Sequence, residues 1–447
     1  MNNLNPSSLS YHTITYGCQM NVRDSEIISG LLDNIGYIEE AIIEKADLVV
    51  FNTCSVRHSA ENKVYGKVGE INKLKKSHPN LIIALGGCMA QLPEVVTKLK
   101  KQGVDIVFGT HNLHELPYLI EQFRTTNKKV IQVWQQHGEV IESLPSRRKE
   151  GISAFVNIMY GCNNFCSYCI VPYTRGRERS RHPREIITEV KQLVDSGYKE
   201  LSFLGQNVNS YGKGLSEDFD FADLLMMADK VEGLNRIRFA TSHPKDMSDK
   251  LIDTIANGEK LCEHIHVPLQ AGSNMVLQKM NRGYTREHYL KLVDKMRERI
   301  PGVAITSDLI VGFPGETESK FLETLDMVEK VRFDAAFTFL YSIRNGTRAA
   351  LMDDQLELAV KKNRLLRLNQ LQYEIAAELN RSLEGSTQNV LVEGVSKTNK
   401  EKLTARTRNN RIVIFSGPKD LIGKLINVRI TKGKTFSVFA ETIDDQI

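Results

Sequence analysis

Strand-like and helix-like segments alternate along most of this sequence, and that alternation leaves few folds open. It runs over residues 11–125 and resumes from Ile152 to Ser342. A strand followed by a helical crossover pairs with the next strand in parallel, so hairpin-built sheets are excluded and helix-covered parallel sheets are expected. In the first block YHTITYG (11–17), DLVVFNT (47–53), LIIALGG (81–87) and VDIVFGT (104–110) read as strands. RDSEIISGLLDNIG (23–36) reads as a helix with Ile27, Ile28, Leu31 and Leu32 on one stripe and Asp24 or Ser25 as its cap. The rhythm fades over 126–150, where SLPSRRKE (143–150) has the composition of a linker.

The second block offers six strands: SAFVNIM (153–159), ELSFLG (200–205), RIRFAT (236–241), HIHVPL (264–269), VAITSDLIVG (303–312) and AAFTFLYS (335–342). Its clearest helix is PREIITEVKQLVDSG (183–197), with proline first, glycine last and Ile186, Ile187, Val190, Leu193 and Val194 on one face. Six such units predict a complete or partial (β/α) barrel. A basic amphipathic stretch (356–383) follows. From 384 the runs QNVLVEGV, RIVIFSG, KLINVRIT and FSVFAETI, split by glycines and polar turns, predict a small all-β barrel or sandwich. The class is α/β, with domains at 10–126, 148–380 and 381–446.

Seven cysteines are present, an odd number, and the start MNNLNPSSLS has no apolar core. Both argue against a disulfide framework and a secretory signal. No apolar run approaches 18 residues, so no membrane span is expected and the cytoplasm is the expected location. GCNNFCSYC places Cys162, Cys166 and Cys169 in a Cys-x3-Cys-x2-Cys loop directly after a strand, where barrel chemistry is expected. Three thiolates on an iron–sulfur cubane leave one iron open for another ligand. Zinc is the competing metal, although closed zinc sites take four ligands, and three unrelated buried thiols are the remaining reading. Cys18, Cys54 and Cys88 are far apart in sequence, yet each follows the carboxyl end of a predicted parallel strand. Loops converge at that edge, and Gly17, Gly86 and Gly87 allow close backbone approach, so a second three-cysteine site is one reading and separate buried thiols the other. Cys262 lacks such a context and reads as a core thiol.

The Cys-x3-Cys-x2-Cys loop resembles the signature of radical-S-adenosylmethionine enzymes. With the three N-terminal cysteines and the β tail, the chain resembles the methylthiotransferases over residues 11–445. TYGCQMNVRDSE (15–26), FNTCSVR (51–57), GGCMAQ (86–91) and IMYGCNNFCSYCIVPYTRGRERSR (158–181) are similar to the branch acting on isopentenylated tRNA. Gln19 and Met20 stand where the ribosomal-protein branch typically carries proline and lysine, and where the threonylcarbamoyl-adenosine branch favours lysine and valine. Asn345 in SIRNGT stands where the family often has proline.

The resemblance implies an N-terminal methylthiotransferase domain, a partial (β/α)6 radical-SAM barrel and a C-terminal TRAM barrel. It implies two 4Fe–4S clusters, one on each cysteine set, and S-adenosylmethionine as methyl donor and radical source. The implied reaction places a methylthio group on carbon 2 of N6-isopentenyl(dimethylallyl)adenosine 37 of tRNA. That carbon bears a hydrogen without useful acidity, so a radical suits the step where a general base would not. No protein acid or base is assigned. The implied partners are tRNA and an electron donor of the flavodoxin or ferredoxin type, with no membrane and a monomeric chain. Within the cluster loop, Tyr168 joins the candidate cofactor contacts. Further strand-end loops offer Gln206 and Asn207, Ser242, Gln270, Ser273, and Ile310 to Gly312; a polar residue at a barrel rim is the plain alternative for each.

Between Lys397 and Lys434 eleven basic residues face only Glu401 and Asp420. Lys397, Lys400, Lys402, Arg406, Arg408, Arg411, Lys432 and Lys434 are the RNA-binding candidates, since a small barrel with one basic face suits a phosphate backbone. RERSR (177–181) adds charge near the cluster loop. Three rival functions stand beside the tRNA reading. A threonylcarbamoyl-adenosine tRNA enzyme is nearest, a ribosomal-protein enzyme gains less from the cationic tail, and a non-catalytic iron–sulfur carrier or RNA-binding protein needs no cofactor pocket.

Overall fold

The computed structural model describes residues 9–443 apart from 56, 57, 137, 139, 149 and 217. Val56 and Arg57 of the FNTCSVR motif and the last residues assigned to the third domain therefore lie outside the described residues. The chain forms two compact units: residues up to 150 with 159–163 and 169–181, and the remainder.

The first unit is a six-stranded parallel sheet. Its strands are β1 (Ser10–Thr15), β2 (Ile38–Glu39), β3 (Leu48–Thr53), β4 (Ile82–Gly87), β5 (Ile106–Phe108) and β6 (Val130–Gln132), in the order β2-β1-β3-β4-β5-β6. β3 and β4 are buried at every residue, as strands covered on both faces must be. One face packs Val49, Phe51, Ile83 and Leu85 against Val64, Val68 and Ile71 of α2 (His58–Leu74) and Val95 and Leu99 of α3 (Pro93–Lys101). The other packs Tyr11, Val50, Ala84 and Phe108 against Ile28 and Leu32 of α1 (Gln19–Asn34) and Leu116, Leu119 and Ile120 of α4 (Leu116–Thr126).

α1 differs from the sequence expectation at its start. It begins at Gln19 with Cys18 as N-cap, so Asp24 and Ser25 lie inside the helix and cap nothing. Both are buried, and Asn52 Nδ2 donates to Ser25 Oγ at 2.9 Å, which gives these polar residues tertiary partners. Residues 143–148 carry no regular element but are held to α1: Arg147 N donates to Glu26 O at 2.9 Å and Arg148 pairs with Glu26 at 2.7 Å. A Cβ on Gly30 would meet the Ser146 backbone.

The chain enters the second unit with β7 (Ser153–Asn157) and returns to the first for β8 (Met159–Tyr160), α5 (Val171–Thr174) and β9 (Arg179–Ser180). It then continues in the second through α6 (Pro183–Asp195), β10 (Glu200–Leu204), α7 (Phe221–Asp229), β11 (Arg236–Phe239), α8 (Asp249–Asn257), β12 (His264–His266), α9 (Asn274–Lys279), α10 (Arg286–Arg299), β13 (Ala304–Val311), α11 (Glu318–Val331), β14 (Ala335–Leu340) and α12 (Leu358–Arg381). Two parallel sheets, β11-β10-β7 and β12-β13-β14, are joined by a bridge between Ile237 and Leu261, which gives the six predicted strands of a partial (β/α)6 barrel. The turn at Asn345 is closed without proline, since Thr347 Oγ1 donates to Arg344 O at 2.7 Å.

The tail is a closed barrel, not a sandwich: β15 (Thr387–Val395), β16 (Leu403–Thr407), β17 (Ile412–Phe415), β18 (Leu425–Gly433) and β19 (Val438–Thr442), in the order β15-β16-β17-β19-β18. Closure removes the free edges an isolated small sheet would expose. No helix among the described residues is long and apolar enough to cross a membrane.

Candidate active site

β1, β3 and β4 are neighbours in the sheet, so Cys18, Cys54 and Cys88 follow the carboxyl ends of three adjacent parallel strands. The crossover between β1 and β3 is also where the strand order reverses, the position at which open α/β sheets bind ligands. None of the seven cysteines is in a disulfide; Cys54 and Cys88 are buried and Cys18 is exposed. The backbone is drawn tight around the thiols. Gly87 has φ +91°, and a Cβ there would fall on the Thr53 carbonyl oxygen; one on Gly17 would stand 2.9 Å from Cys54 Cβ. Polar bonds fix the loops: Asn21 Nδ2 donates to Asn52 Oδ1 at 3.1 Å and to Thr53 O at 3.2 Å, and Thr53 Oγ1 donates to Gly86 O at 2.7 Å.

A residue the sequence did not point to completes this edge. Arg175, just past α5 and 6% exposed, bridges Asp24 at 2.8 Å. Burial alone would lower its pKa, but the charges of Asp24, Cys88 and Cys18 hold it well above the usual arginine value. In turn burial pushes the Cys88 thiol up while Arg175 pulls it back. A guanidinium among thiols favours their ionised, metal-ligating form.

The loop carrying Cys162, Cys166 and Cys169 opens at Gly161, where φ is +76° and a Cβ would fall on the Arg177 carbonyl oxygen. Cys162 N donates to Gly176 O at 3.1 Å. In the second unit Arg282 Nη1 donates to Cys166 Sγ at 3.3 Å and to the Tyr168 hydroxyl at 3.5 Å. No three His, Cys, Asp or Glu side chains among the described residues stand close enough to hold one metal ion. A cubane binds each thiolate through a different iron, so its three cysteines need a wider spacing than a single ion does.

Barrel strands β10, β11 and β12 end in loops that carry several buried polar atoms without partners among the described residues. Asn207 Nδ2 donates to Asp246 at 2.8 Å, but Asn207 Oδ1, Ser242 Oγ and Gln270 Oε1 have no hydrogen-bond partner among the described residues. Gln270 holds φ +70°, its N donating to Asp308 O at 2.8 Å. His243, not singled out in the sequence, belongs with them. Its Nδ1 accepts from Lys245 N at 3.3 Å, which leaves the proton on Nε2, a buried donor without a partner. Burial, then Arg282, Lys245 and Lys213, push its pKa down to about 2, so the ring stays neutral. Each such atom costs about 1–3 kcal/mol if left unmet. A ligand with its own donors and acceptors is what this rim fits.

The remaining candidates are placed differently. Ser273 is buried at the start of α9, and Gln206 is half-buried beside Asn207. Ile310 N donates to Gln270 O at 2.8 Å and Gly312 N to Glu316 Oε1 at 2.9 Å, so these two amides are engaged within the fold. Strand pairing at Gln270 and the buried Glu316–Arg364 bridge at 2.8 Å take them.

The basic tail also divides. Lys397, Lys400, Lys432 and Lys434 are exposed, and Lys402 and Lys434 lie over the Phe439 ring at 5.4 and 5.0 Å. Arg406 pairs with Glu393 at 2.7 Å, Arg408 with Glu263 at 2.7 Å and Arg411 with Asp334 by a similarly close bridge at 2.6 Å. These three arginines hold the protein to itself and do not join the lysines on one open face. Within RERSR, Arg181 is buried against Glu142 at 2.7 Å and Arg179 donates to Gly138 O at 2.7 Å, leaving Arg177 as the exposed arginine.

Comparison with known proteins fits this layout. Residues 156–328 match the Radical SAM superfamily, residues 10–109 the family described as Uncharacterized protein family UPF0004, and residues 381–443 the TRAM domain. A tRNA-2-methylthio-N(6)-dimethylallyladenosine synthase of Syntrophomonas wolfei is 68% identical over 437 residues, covering 98% of both chains. The enzyme of that name from Carboxydothermus hydrogenoformans is 53% identical, covering 96% of this chain and 98% of its own. Among solved structures, the radical S-adenosylmethionine methyltransferase TsrM from Kitasatospora setae shares the fold at TM-score 0.58 and 16% identity, covering 77% of each chain.

Proposed function

This chain belongs to the family of tRNA-2-methylthio-N(6)-dimethylallyladenosine synthases, within the radical SAM superfamily, and from that premise we propose how its residues divide the work. The protein is a radical-SAM tRNA methylthiotransferase that converts N6-isopentenyladenosine 37 of tRNA to its 2-methylthio derivative. It uses iron–sulfur chemistry and S-adenosylmethionine. Our assignment gives Cys162, Cys166 and Cys169 one 4Fe–4S cluster and Cys18, Cys54 and Cys88 a second.

The observation that carries the second assignment is that a cysteine follows the carboxyl end of each of three adjacent parallel strands. Bound in the barrel, S-adenosylmethionine supplies both radical hydrogen abstraction at carbon 2 and the methyl group. The protein's own part is to hold and orient. Asn207, Ser242, His243 and Gln270 present unmet polar atoms to the cofactor, with Gln206 and Ser273 in the same loops and Tyr168 on the cysteine loop. Arg175 keeps positive charge beside Cys88 and Cys18. Lys397, Lys400, Lys402, Lys432 and Lys434 meet the phosphates of the anticodon arm. A flavodoxin- or ferredoxin-type donor and a monomeric chain complete the proposal.

Anaerobic reconstitution tests it. About eight irons are expected per chain, and about four after Cys18, Cys54 and Cys88 are all replaced by alanine. That variant should still cleave S-adenosylmethionine and should form no 2-methylthio nucleoside by mass spectrometry of tRNA digests. Loss of cleavage in the folded triple variant overturns the division.

A further inference from the structure

Arg282 is 5% exposed, on the connection between α9 and α10. Each of its three nitrogens donates: Nε to the Tyr284 hydroxyl at 2.9 Å, Nη2 to Pro268 O at 3.1 Å, and Nη1 to Cys166 Sγ at 3.3 Å and the Tyr168 hydroxyl at 3.5 Å. Among the described residues no carboxylate bridges it. Arg175 is different, since Asp24 stands 2.8 Å away. Arg236 also lacks a carboxylate bridge, but it donates to neutral oxygens of Arg406 and Asn389. A buried cation without an anion is costly, so a negative partner is expected where Arg282 points. Its neighbours able to ionise are Cys166, Tyr168 and Tyr284. Phenols ionise near pH 10, whereas a metal-bound thiolate is negative at every working pH.

We propose that Arg282 is the fixed counter-charge of the iron–sulfur cluster on Cys162, Cys166 and Cys169, and that it eases that cluster's uptake of one electron. The proposal rests on the cluster assignment above. An electron arriving from a low-potential donor makes an anionic site more negative while no bond forms or breaks. A cation within hydrogen-bond distance in a dry environment stabilises the reduced state more than the oxidised one, and N–H···S bonds act in the same direction. Arg282 is a positioning residue here. The edge at Cys18, Cys54 and Cys88 gains less, because Asp24 offsets the charge of Arg175.

The test uses the full chain with Cys18, Cys54 and Cys88 replaced by alanine, so that one cluster is read. An iron count of about four checks the underlying assignment separately. Redox titration followed by electron paramagnetic resonance is run first without S-adenosylmethionine and then with it. Arg282→Gln and Arg282→Met should each weaken reduction at least tenfold, a midpoint about 59 mV more negative for one electron. Arg282→Lys, which keeps the charge, should recover most of the shift. If the neutral variants lose iron and the lysine variant keeps it, the need for charge is supported; loss from all three overturns it. An unchanged midpoint in an iron-loaded neutral variant also overturns the proposal. So does a shift seen only with S-adenosylmethionine present, which would assign Arg282 to that cofactor's carboxylate.

Discussion

Single buried charges decide much of what this chain can do, and Arg175–Asp24 shows how sharply. Both members are buried, and their 2.8 Å bridge joins positions 151 residues apart. Removing one partner strands the other in a dry site, at about 3–5 kcal/mol. Arg175→Met and Asp24→Asn are each expected to lower stability by that amount, and the double variant by clearly less than the sum, measured as a double-mutant cycle on urea unfolding. Additive losses would mean that the two charges are not coupled. The same distance explains what the sequence hid. The six candidate cluster cysteines were legible because spacing marks one trio and strand ends mark the other. Arg175, His243 and Arg282 were not, because each gains its meaning from a partner or a burial that only folding supplies; Arg282 and Cys166 are 116 residues apart.

Strands and helices were readable wherever burial is strong on at least one face. β3 and β4 are buried throughout and open on apolar runs that mark them in the sequence, whereas β2 and β6 are two and three residues long at the sheet edges and carry too little pattern. β16, Leu403–Thr407, does alternate buried and half-buried residues, but its outward positions Thr404 and Arg406 merged into the basic run. The start of α1 was misjudged because Ser, Thr, Asp and Asn are the usual caps, and here cysteine holds that position. Where an element ends can matter more than where it runs. Gly87 closes β4 one residue before Cys88, with φ +91° and no room for a Cβ against Thr53. Gly87→Ala is therefore expected to displace Cys88 and Cys54 together. The outcome is a fall from about eight irons to about four per chain on reconstitution, with S-adenosylmethionine cleavage retained. Full iron loading in that variant would separate the glycine from the cysteine edge.

Across the whole chain, charge that looked like one surface in the sequence serves two purposes. Sequence order cannot tell a lysine that faces solvent from an arginine that folds back onto a carboxylate, so the cations between Lys397 and Lys434 read as one RNA face. In the second unit Arg408 ties the tail barrel to Glu263, and Arg411 reaches both Asp334 and Asn380. Arg238 donates from the opposite direction to the carbonyls of Arg408 and Thr407 at 2.8 Å each. These bonds seat the barrel against the strands that precede it, while the exposed lysines remain available to phosphates. The two sets should separate in a salt titration of tRNA binding. Replacing Lys397, Lys400, Lys432 and Lys434 by glutamine should flatten the dependence of log K on log salt by about 0.7–0.9 for each phosphate no longer neutralised, with thermal stability unchanged. Arg411→Met should leave that slope as it is and lower thermal stability. It strips the partner from Asp334, whose carboxyl burial already pushes up and Arg411 pulls back down. Equal flattening by the arginine variant would show that these arginines leave their carboxylates for the RNA, and that the barrel re-seats when tRNA binds.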